Sequence, residues 1–519
     1  MPDGGGTSWE DTMPEPVIDV DGALGSEFAP SASPPAGKAP LCQPTPPLVE
    51  RAIRLSYAQM MLGAVFGAST GGMFLVGFAM RLGADNVLLG LMSTVPQVFV
   101  LFQFLAAYLV ERGHSRKRMT VVFSFIVPLC WFFIAAIPLL DGTLSAPVRF
   151  GLLILVMTLV TLAWQFAANA RSSWIGELVP PQRRGRFFGY CGMFAGIVGA
   201  GFAIIEGQFL DMISSQGLLA FSALFFFGSL FGLAAAALNV PQPDCPLPAE
   251  ENKPPFRALL RQTFHNKPFV TLALVHAVIG MGGIAGPFNA AYCLRDVGVS
   301  FFGLGLLNAV TTAATLLTSP YWGRMVDKFG CRPILILGLS IMAPCAAVWL
   351  AIPPKTPLLA YCLLPWTNFI SGTGGAAVGV AIATMMYKTS NPQGRSVQFA
   401  AYSAFISLLA APMPLLGGWM VSSLAQAGHP VDLRLTFYFW ALFMFAASQI
   451  SRLIHEPGSL RTRALLLSYF PRRLAGRLGP KAASVFSLAS LDKFRMAEVT
   501  AGDPPPKPKA DPAKDAKTP

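Results

Sequence analysis

The sequence has 519 residues, of which 53% are hydrophobic and 12% are charged, and its net charge is +12. An ordinary soluble domain carries about 25% charged residues, so this chain has too few charges to cover the surface of a soluble enzyme. The mean hydropathy of +0.54 indicates stretches that cross a lipid bilayer. The positive charge then belongs in basic cytoplasmic loops rather than in a nucleic-acid-binding surface.

Both ends of the chain are polar. Residues 1–48 are rich in Pro, Gly, Ser and acidic side chains, and residues 498–519 are rich in Pro, Lys and Asp. Segments of this kind bury too little apolar surface to fold, so we predict a disordered cytoplasmic tail at each end. Because no apolar core follows a basic start, the first tail does not resemble a signal peptide.

Between the tails, apolar stretches of about 20 residues alternate with short polar breaks, as expected of membrane-spanning helices. The longest break, at 241–268, is a predicted cytoplasmic linker between six spans within 49–240 and six within 269–456. We therefore predict an all-α membrane protein of two six-helix bundles. The predicted spans are 55–80, 87–110, 119–140, 148–170, 187–210, 218–240, 269–292, 300–320, 333–352, 358–386, 396–424 and 433–454.

The loops differ in charge on the two sides of the predicted bundle. Those on one side carry 17 Lys and Arg residues, and those on the other carry 5. An excess of Lys and Arg marks the cytoplasmic side, so both termini are predicted to be cytoplasmic, in a multi-pass protein of the plasma membrane. The basic segment 457–497 is predicted to lie on the anionic inner leaflet, with a partner-binding helix as the alternative.

The two predicted bundles resemble each other at a nearly fixed offset. Gly83 and Gly298 are 215 residues apart, as are Gly90 and Gly305. Three such matches in the same order indicate a duplicated six-helix unit, and a solute site between repeated halves is typical of transporters. Within the first span, Gly63, Gly67 and Gly71 recur at a spacing that predicts close helix packing.

The most specific motif lies between the eighth and ninth predicted spans. Residues 323–332 read G-x-x-x-D-K-x-G-x-R. This pattern resembles the cytoplasmic loop signature of the major facilitator superfamily, and the resemblance extends over residues 50–455 through span number, division and repeat. It implies two pseudo-symmetric bundles that rock against each other. The second copy expected after the second span is degenerate, with Glu111 in place of the Asp.

The resemblance also implies a cytoplasmic gate between the halves. The motif glycines would let the turn approach a neighbouring helix. Asp327 would face the positive N-terminus of the fifth span near Arg186, and Glu111 that of the eleventh span near Arg395. Charges that only set the topology are the alternative. The residues assigned to the gate and motif are Glu111, Arg112, Arg184, Arg186, Gly323, Asp327, Lys328, Gly330, Arg332 and Arg395.

Polar side chains inside the spans are costly in hydrocarbon and tend to line a cavity. Amides together with Trp and Tyr suit a neutral solute such as a sugar or polyol, because hydroxyl groups need both donors and acceptors. Hydrogen bonding between helices is the alternative. The candidate solute-binding residues are Thr94, Gln97, Gln165, Asn169, His276, Asn289, Asn308, Trp366, Asn368 and Tyr402.

Two ionisable residues within the spans are candidates for proton coupling. His276 lies in the seventh span, and a histidine titrates near neutral pH. Glu206 lies in the fifth span, close to Asp211 of the predicted outer end. Either side chain has a packing role as its alternative, and a carrier without ion coupling also stays open.

The sequence has no motif for nucleotide, metal or hydrolytic chemistry. It lacks a G-x-x-x-x-G-K-[ST] loop, an H-E-x-x-H helix, a G-x-S-x-G elbow and a Cys/His zinc spacing. We therefore expect no catalytic residue, cofactor, metal or nucleic-acid partner, and a monomer that contacts a small-molecule solute and lipid. The favoured function is transport of a small polar solute, and the alternative is an assembly or scaffold protein without solute flux. An open polar cavity would favour the first and a plugged one the second.

Overall fold

The computed structural model describes residues 46–111, 115–179, 181–213, 215, 217–244, 261, 263, 265–390, 395–427, 432–456 and 459. The predictions for residues 1–45, for most of the 241–268 linker and for nearly all of 457–519 lie outside these residues. Arg112 and the side chains of Glu111 and Arg395 lie outside them as well.

Twelve helical spans occur in the described part of the chain, and four of them are interrupted. In chain order they are Pro46–Thr70 with Gly72–Arg81, Asn86–Phe99 with Gln103–Glu111, Arg116–Ala136, Ala146–Leu178, Pro181–Met212, Leu218–Ala237, Lys267–Met281 with Gly286–Ala291, Phe301–Phe329, Cys331–Val348, Pro357–Thr389, Arg395–Ala410 with Pro412–Gln426, and Arg434–Ile450.

Eleven of these spans are long and apolar enough to cross a bilayer. The twelfth, Arg434–Ile450, has 17 residues and continues into a short 3-10 turn, Ser451–Leu453. The predicted all-α fold of twelve helices is therefore confirmed. The cytoplasmic position of both termini stays a prediction. We call the end that carries Arg81, Asp141, Asp211, Asp296 and Arg434 the outer end, and the opposite end, which carries Asp327 and Lys388, the inner end.

Several helices extend beyond the apolar stretches that predicted them. The fourth span continues to Leu178 and the fifth begins at Pro181, so Arg171 and Arg186 lie on helices and not in a loop. The eighth span runs to Phe329, which makes most of the 323–332 motif helical. Hydropathy marks where a helix meets hydrocarbon, whereas backbone hydrogen bonding continues until a residue such as Gly330, with a φ of 92°, ends it.

Short polar side chains begin several spans by accepting a hydrogen bond from an otherwise unpaired backbone N–H. Asp85 accepts from the N–H of Leu88 at 2.8 Å, at the start of the second span. Ser300 accepts from Gly303 at 3.1 Å, at the start of the eighth. The sequence thus fixes where these two outer-end helices start.

Each half has the same packing order. The first span contacts the fifth and sixth, and the third contacts the fourth and sixth. In the second half the seventh contacts the eleventh and twelfth, and the ninth contacts the tenth and twelfth. This is the first pattern displaced by six spans, as a duplicated unit requires. Aromatic pairs fill both cores, for example Trp131 with Phe225 at 5.2 Å and Trp349 with Phe437 at 5.1 Å between ring centroids.

The matched glycines of the repeat occupy matched positions. Gly83 and Gly298 follow the first and seventh spans and have φ values of 90° and 88°. Residues other than glycine rarely adopt this backbone region. The repeat seen in the sequence therefore reflects a shared requirement of the chain at the outer ends of the two halves.

Glu456, just after the twelfth span, joins three elements at the inner end. Its carboxylate accepts hydrogen bonds from the backbone N–H groups of Cys331 at 3.2 Å and Arg332 at 2.8 Å, and its Oε1 lies 3.2 Å from Lys388 Nζ. Burial alone raises the pKa of this carboxyl, but the hydrogen bonds from the backbone and from Lys388 outweigh it and hold the pKa below its ordinary value. A Cβ at Gly330 would lie 3.2 Å from Glu456 Oε2, so the motif glycine gives the carboxylate its room.

We expect the variant Glu456→Gln to lower the free energy of unfolding by about 1–3 kcal/mol near neutral pH, because the charged acceptor of these hydrogen bonds is lost. A carboxyl whose pKa is lowered on folding stabilises the protein above its unfolded pKa and loses that effect as the pH falls through the folded pKa. The difference between the two proteins should therefore vanish in acid. Thermal unfolding in detergent over a pH series measures it.

The control is Glu50→Gln, because Glu50 and Arg183 are both exposed and 3.9 Å apart. Exposed pairs contribute about 0–1 kcal/mol, so this variant should unfold nearly as the parent does. Equal melting temperatures for all three proteins at neutral pH would contradict the role given to Glu456.

Candidate functional site

A cavity of about 450 Å³ lies between the two halves. Spans one and five of the first half and spans seven to ten of the second contribute to its wall, and none of the lining residues carries a charge. Its polar side chains come from the second half. The lining residues used below are Gly67, Gly71, Gly72, Ala203, Asn289, Asn308, Thr311, Trp349 and Asn368.

Two spans are broken where they reach this cavity. The first span is interrupted at Gly71, where Gly72 has a φ of 53° and begins a second helical segment. The seventh span changes to a 3-10 turn, Gly282–Ala285, before its second segment begins at Gly286. Gly71 and Gly286 are related by the same offset of 215 residues that relates Gly83 to Gly298. Interrupted helices at equivalent positions of two repeats are characteristic of transporter solute sites.

Three of the predicted solute-binding residues, Asn289, Asn308 and Asn368, line the cavity. Asn368 Oδ1 accepts a hydrogen bond from Thr311 Oγ1 at 2.9 Å, and Asn368 Nδ2 donates to the Leu364 carbonyl at 2.9 Å. Asn289 Oδ1 is buried and has no hydrogen-bond partner. A buried amide oxygen without a partner is costly, so this atom offers an acceptor to a bound molecule that has a donor.

The other predicted solute-binding residues are not among those that line the cavity. Trp366 is 73% exposed on the tenth span, because two residues along a helix turn a side chain by about 200° from Asn368. His276 Nδ1 and the Tyr402 hydroxyl lie 2.9 Å apart and pair with each other. Thr94 is buried, and Gln97, Gln165 and Asn169 are half-buried on the second and fourth spans.

Glu206 lies behind the cavity wall on the fifth span. It is 8% exposed, and its Oε1 is hydrogen-bonded to Ser69 Oγ of the first span. Ser69 follows Gly67 and Ala68, which line the cavity, and Ala203 lines it from the same span as Glu206. The carboxyl therefore sits within about one helical turn of the wall.

Close backbone contacts between the halves occur at the outer end. A Cβ at Gly207 would lie 2.6 Å from the Phe301 carbonyl oxygen, and one at Gly418 would lie 2.1 Å from the Asn86 carbonyl oxygen. Asn86 and Phe301 begin the second and eighth spans and are again 215 residues apart. One contact is thus the repeat of the other, and only glycine permits either approach.

The matched pair Gly90 and Gly305 extends these two contacts. A Cβ at Gly90 would lie 2.4 Å from the Pro414 carbonyl oxygen, and one at Gly305 would lie 2.6 Å from the Ala203 carbonyl oxygen. The fifth span therefore packs on the eighth, and the second on the eleventh, with backbones nearly touching. The glycine matches seen in the sequence mark the interface between the halves.

Polar groups reinforce the closed outer end. Asp211 of the fifth span accepts hydrogen bonds from the N–H groups of Phe301 at 3.1 Å and Phe302 at 2.8 Å. These donors form the positive N-terminus of the eighth span, so a carboxylate there is favourable. On the repeat-related contact, Arg295 donates to Asn86 Oδ1 at 3.2 Å.

The motif residues lie at the inner end without the predicted pairing. Asp327 and Lys328 are exposed at the end of the eighth span, and among the described residues Asp327 forms no ion pair with Arg186. Arg186 donates instead to the Tyr190 hydroxyl at 3.4 Å, and Arg184 donates to the Val179 carbonyl at 2.9 Å. Arg332 binds the Arg452 carbonyl.

Gly323 does not perform the close approach that we predict for it, because a Cβ there would have nothing within 4 Å. The same is true of Gly67 in the first span, where close packing is also predicted. Gly323 lies on a helix face that meets open space, and Gly67 lines the cavity. The spacing of small residues alone does not tell a packing face from the wall of a cavity.

Sequence reasoning misses three functional contacts that the structure reveals. Asp211 and Glu456 bind backbone N–H groups at helix starts that are 90 and 125 residues away in the chain. Ser69 meets Glu206 across 137 residues. Each acid was visible as an acid, but a backbone partner leaves no signal in the sequence, and a lone serine leaves a very weak one.

Comparisons with known proteins agree with this architecture. The family model of the Major Facilitator Superfamily matches residues 55–288 and 274–474. Quinolone resistance protein NorA of Staphylococcus aureus (strain MRSA252) is 27% identical over 194 residues, which are 37% of this chain and 46% of that protein. The chain thus spans about half the length of the curated relatives that it matches.

Solved structures share the fold. The nucleoside transporter NupG has a TM-score of 0.57 and 13% identity over 78% of this chain and 98% of its own. A bacterial homologue of the human lysosomal transporter Spinster, in an inward-facing and occupied conformation, has a TM-score of 0.56 and 18% identity over 80% of this chain and 97% of its own. At these identities the likeness concerns the fold alone.

We expect Gly207→Ala to separate the halves at the outer end, because its Cβ would overlap the Phe301 carbonyl oxygen. Overpacking of this kind costs about 1–3 kcal/mol, so the population of the closed state should fall about tenfold or more. Spin labels at Leu139 and Leu358, which are 69% and 77% exposed at the outer ends of the two halves, report the distance by double electron–electron resonance.

The matched control is Gly201→Ala, on the same span, where a Cβ would have nothing within 4 Å. Its distance distribution should equal that of the parent. If Gly207→Ala also leaves the distribution unchanged, the contact between the fifth and eighth spans does not hold the outer end closed.

Proposed function

Because the chain belongs to the Major Facilitator Superfamily, we propose that it is a carrier that moves a small, neutral, hydrogen-bonding solute across a membrane by alternating access. It is a multi-pass integral membrane protein. Membership of this superfamily supports a transporter rather than an enzyme. The plasma membrane, the cytoplasmic termini and a monomeric state belong to the same proposal.

The cavity between the halves carries the proposal. Its volume of about 450 Å³ falls within the range of small-molecule sites. An open cavity with amide groups favours transport over the scaffold alternative, for which bulky side chains would fill the space between the halves. The contacts at the outer end and the unpaired Asp327 at the inner end support an inward-facing state of the carrier.

The chemistry of the wall supports a neutral solute. The lining residues carry no charge, so an ion bound there would lose its hydration without a partner. Asn289 Oδ1 requires a donor, whereas the free edges of Asn308 supply both a donor and an acceptor. Trp349 offers an aromatic face. Sugars, polyols and nucleosides present hydroxyl or amide groups together with an apolar face, and we favour a sugar or polyol.

The first test is thermal unfolding of the purified protein with a panel of sugars, polyols, nucleosides, amino acids, organic acids and drugs. A molecule that binds only the folded state raises the melting temperature in proportion to the logarithm of its concentration. We expect neutral hydroxylated molecules to stabilise the protein. Stabilisation by organic acids or cations alone would contradict a neutral solute.

We expect Asn289→Leu to weaken binding of the stabilising solute about tenfold to a hundredfold, because the variant removes the unpaired acceptor. Calorimetric titration measures the affinity. Trp366→Leu is the matched control, since Trp366 is 73% exposed and does not line the cavity. Equal losses in the two variants would show that the effect does not come from the cavity.

A further inference from the structure

Glu206 is an acid buried in the membrane-spanning part of the first half, and one of its oxygens has no partner. Oε1 is hydrogen-bonded to Ser69 Oγ, and Oε2 is buried without a hydrogen-bond partner. An ionised carboxylate in these surroundings would lose its hydration with little compensation. The burial is therefore compatible with the neutral, protonated form.

The hydrogen bonds of Ser69 lead to the same conclusion. Ser69 Oγ lies 2.9 Å from the Val65 carbonyl oxygen and is also hydrogen-bonded to Glu206 Oε1. A hydroxyl group has one proton to donate. Both contacts are satisfied together when Ser69 donates to Val65 and accepts from a protonated Glu206. An ionised Glu206 would take the serine proton and leave the contact with Val65 without one.

The helices packed around Glu206 present no described ionisable partner to it. The sixth span, Leu218–Ala237, has no ionisable side chain, and the eighth has none before Tyr321. In the first span the ionisable residues nearest to Ser69 are Tyr57 and Arg81, each about 18 Å away along the helix. On the fifth span Asp211 is close, but its carboxylate binds the N–H groups of Phe301 and Phe302.

Glu206 also lies where the halves touch. Its neighbour Gly207 packs on the Phe301 carbonyl, and Ala203, one turn away, packs on Gly305. Opening of the outer end separates these contacts and gives the carboxyl access to outer water. Closing of the outer end returns it to the buried state seen here.

We propose that Glu206 is a proton-binding site of this carrier, loaded from the outer side before the outer end closes. A proton from outer water adds to the Glu206 carboxylate, which removes the charge that would otherwise be buried on closure. In the inward-facing state the proton leaves towards the cavity, and the carboxylate returns with the next opening of the outer end. The inference rests on the proposed function, since it gives the carrier a coupling ion.

Of the two ionisable candidates from the sequence, the structure favours Glu206 over His276. His276 lies in the second half and pairs with Tyr402. It is not among the residues that line the cavity. Glu206 combines burial, an unpaired oxygen and a position at the moving contact, which a proton-coupled switch requires.

Infrared difference spectroscopy of the purified protein between about pH 5 and about pH 9 tests the protonation directly. We expect a carbonyl stretch of a protonated carboxyl at pH values where exposed carboxyls are ionised. Glu206→Gln should remove this band. Ser69→Ala should shift it without removing it, because the hydrogen bond is lost and the acid remains. The exposed acid variant Glu50→Gln should leave it unchanged.

A band that survives in Glu206→Gln would overturn the proposal, as would its absence from the parent protein. A second measurement uses the spin labels at Leu139 and Leu358. Raising the pH should open the outer end of the parent, whereas Glu206→Gln, a neutral mimic, should stay closed throughout. Opening of both proteins alike would also overturn it.

Neither measurement needs a solute, so the failure of this inference is distinguishable from that of the proposed function. A carrier that binds a neutral solute but lacks the band would retain the proposed function without proton coupling at Glu206. A protein that has the band but binds no molecule of the panel would retain the proton site and would count against the solute chemistry assigned to the cavity.

Discussion

The close approach of two helix pairs across the halves is the contact on which the rest of the structure depends. Gly207 and Gly305 bring the fifth and eighth spans together, and Gly90 and Gly418 do the same for the second and eleventh. In lipid, helices gain little from apolar burial against each other, so van der Waals contact and short polar interactions decide their association. Contacts made by glycine hydrogens are made and broken as a whole, because no flexible side chain can maintain them across a wider gap. An interface of this kind suits two discrete arrangements better than a continuous range of them.

The cavity follows from the same arrangement. When the second and fifth spans meet the eleventh and eighth at the outer end, the first and seventh spans lie on either side of the space between the halves. Both are broken there, at Gly71 and at Gly282–Ala285. A continuous helix satisfies nearly all its backbone groups internally, whereas a break releases some of them towards the cavity. The first half therefore contributes mainly backbone to the wall, and the second half contributes the amides Asn289, Asn308 and Asn368.

Sequence patterns predict the parts of this structure that depend on local composition. Hydropathy identifies the twelve spans, and the repeat identifies Gly83, Gly90, Gly298 and Gly305, because these features are local or recur at a fixed offset. The polarity of the spans also points to three of the cavity residues. It does not distinguish Asn368 from Trp366, since the rotation of a helix about its axis is fixed by its neighbours. The partners of Asp211, Glu206 and Glu456 are out of reach for a different reason, because they are backbone groups or a serine distant in the chain.

The energetics of Glu206 explain how a single proton can act on so large a movement. Moving a two-state equilibrium from 1:99 to 99:1 requires about 5.5 kcal/mol. The penalty for burying an unpaired carboxylate is several kcal/mol even after the protein relaxes, which is of the same size. The glycine contacts contribute no charge and are equally available at every pH. Asp211 stays on the N-terminus of the eighth span, where an ionised carboxylate is favourable. The two acids of the outer half of the fifth span thus have opposite requirements on closure. Asp211 is stabilised as an anion at the contact, and Glu206 must first lose its charge, so closure of the outer end depends on the proton bound at Glu206.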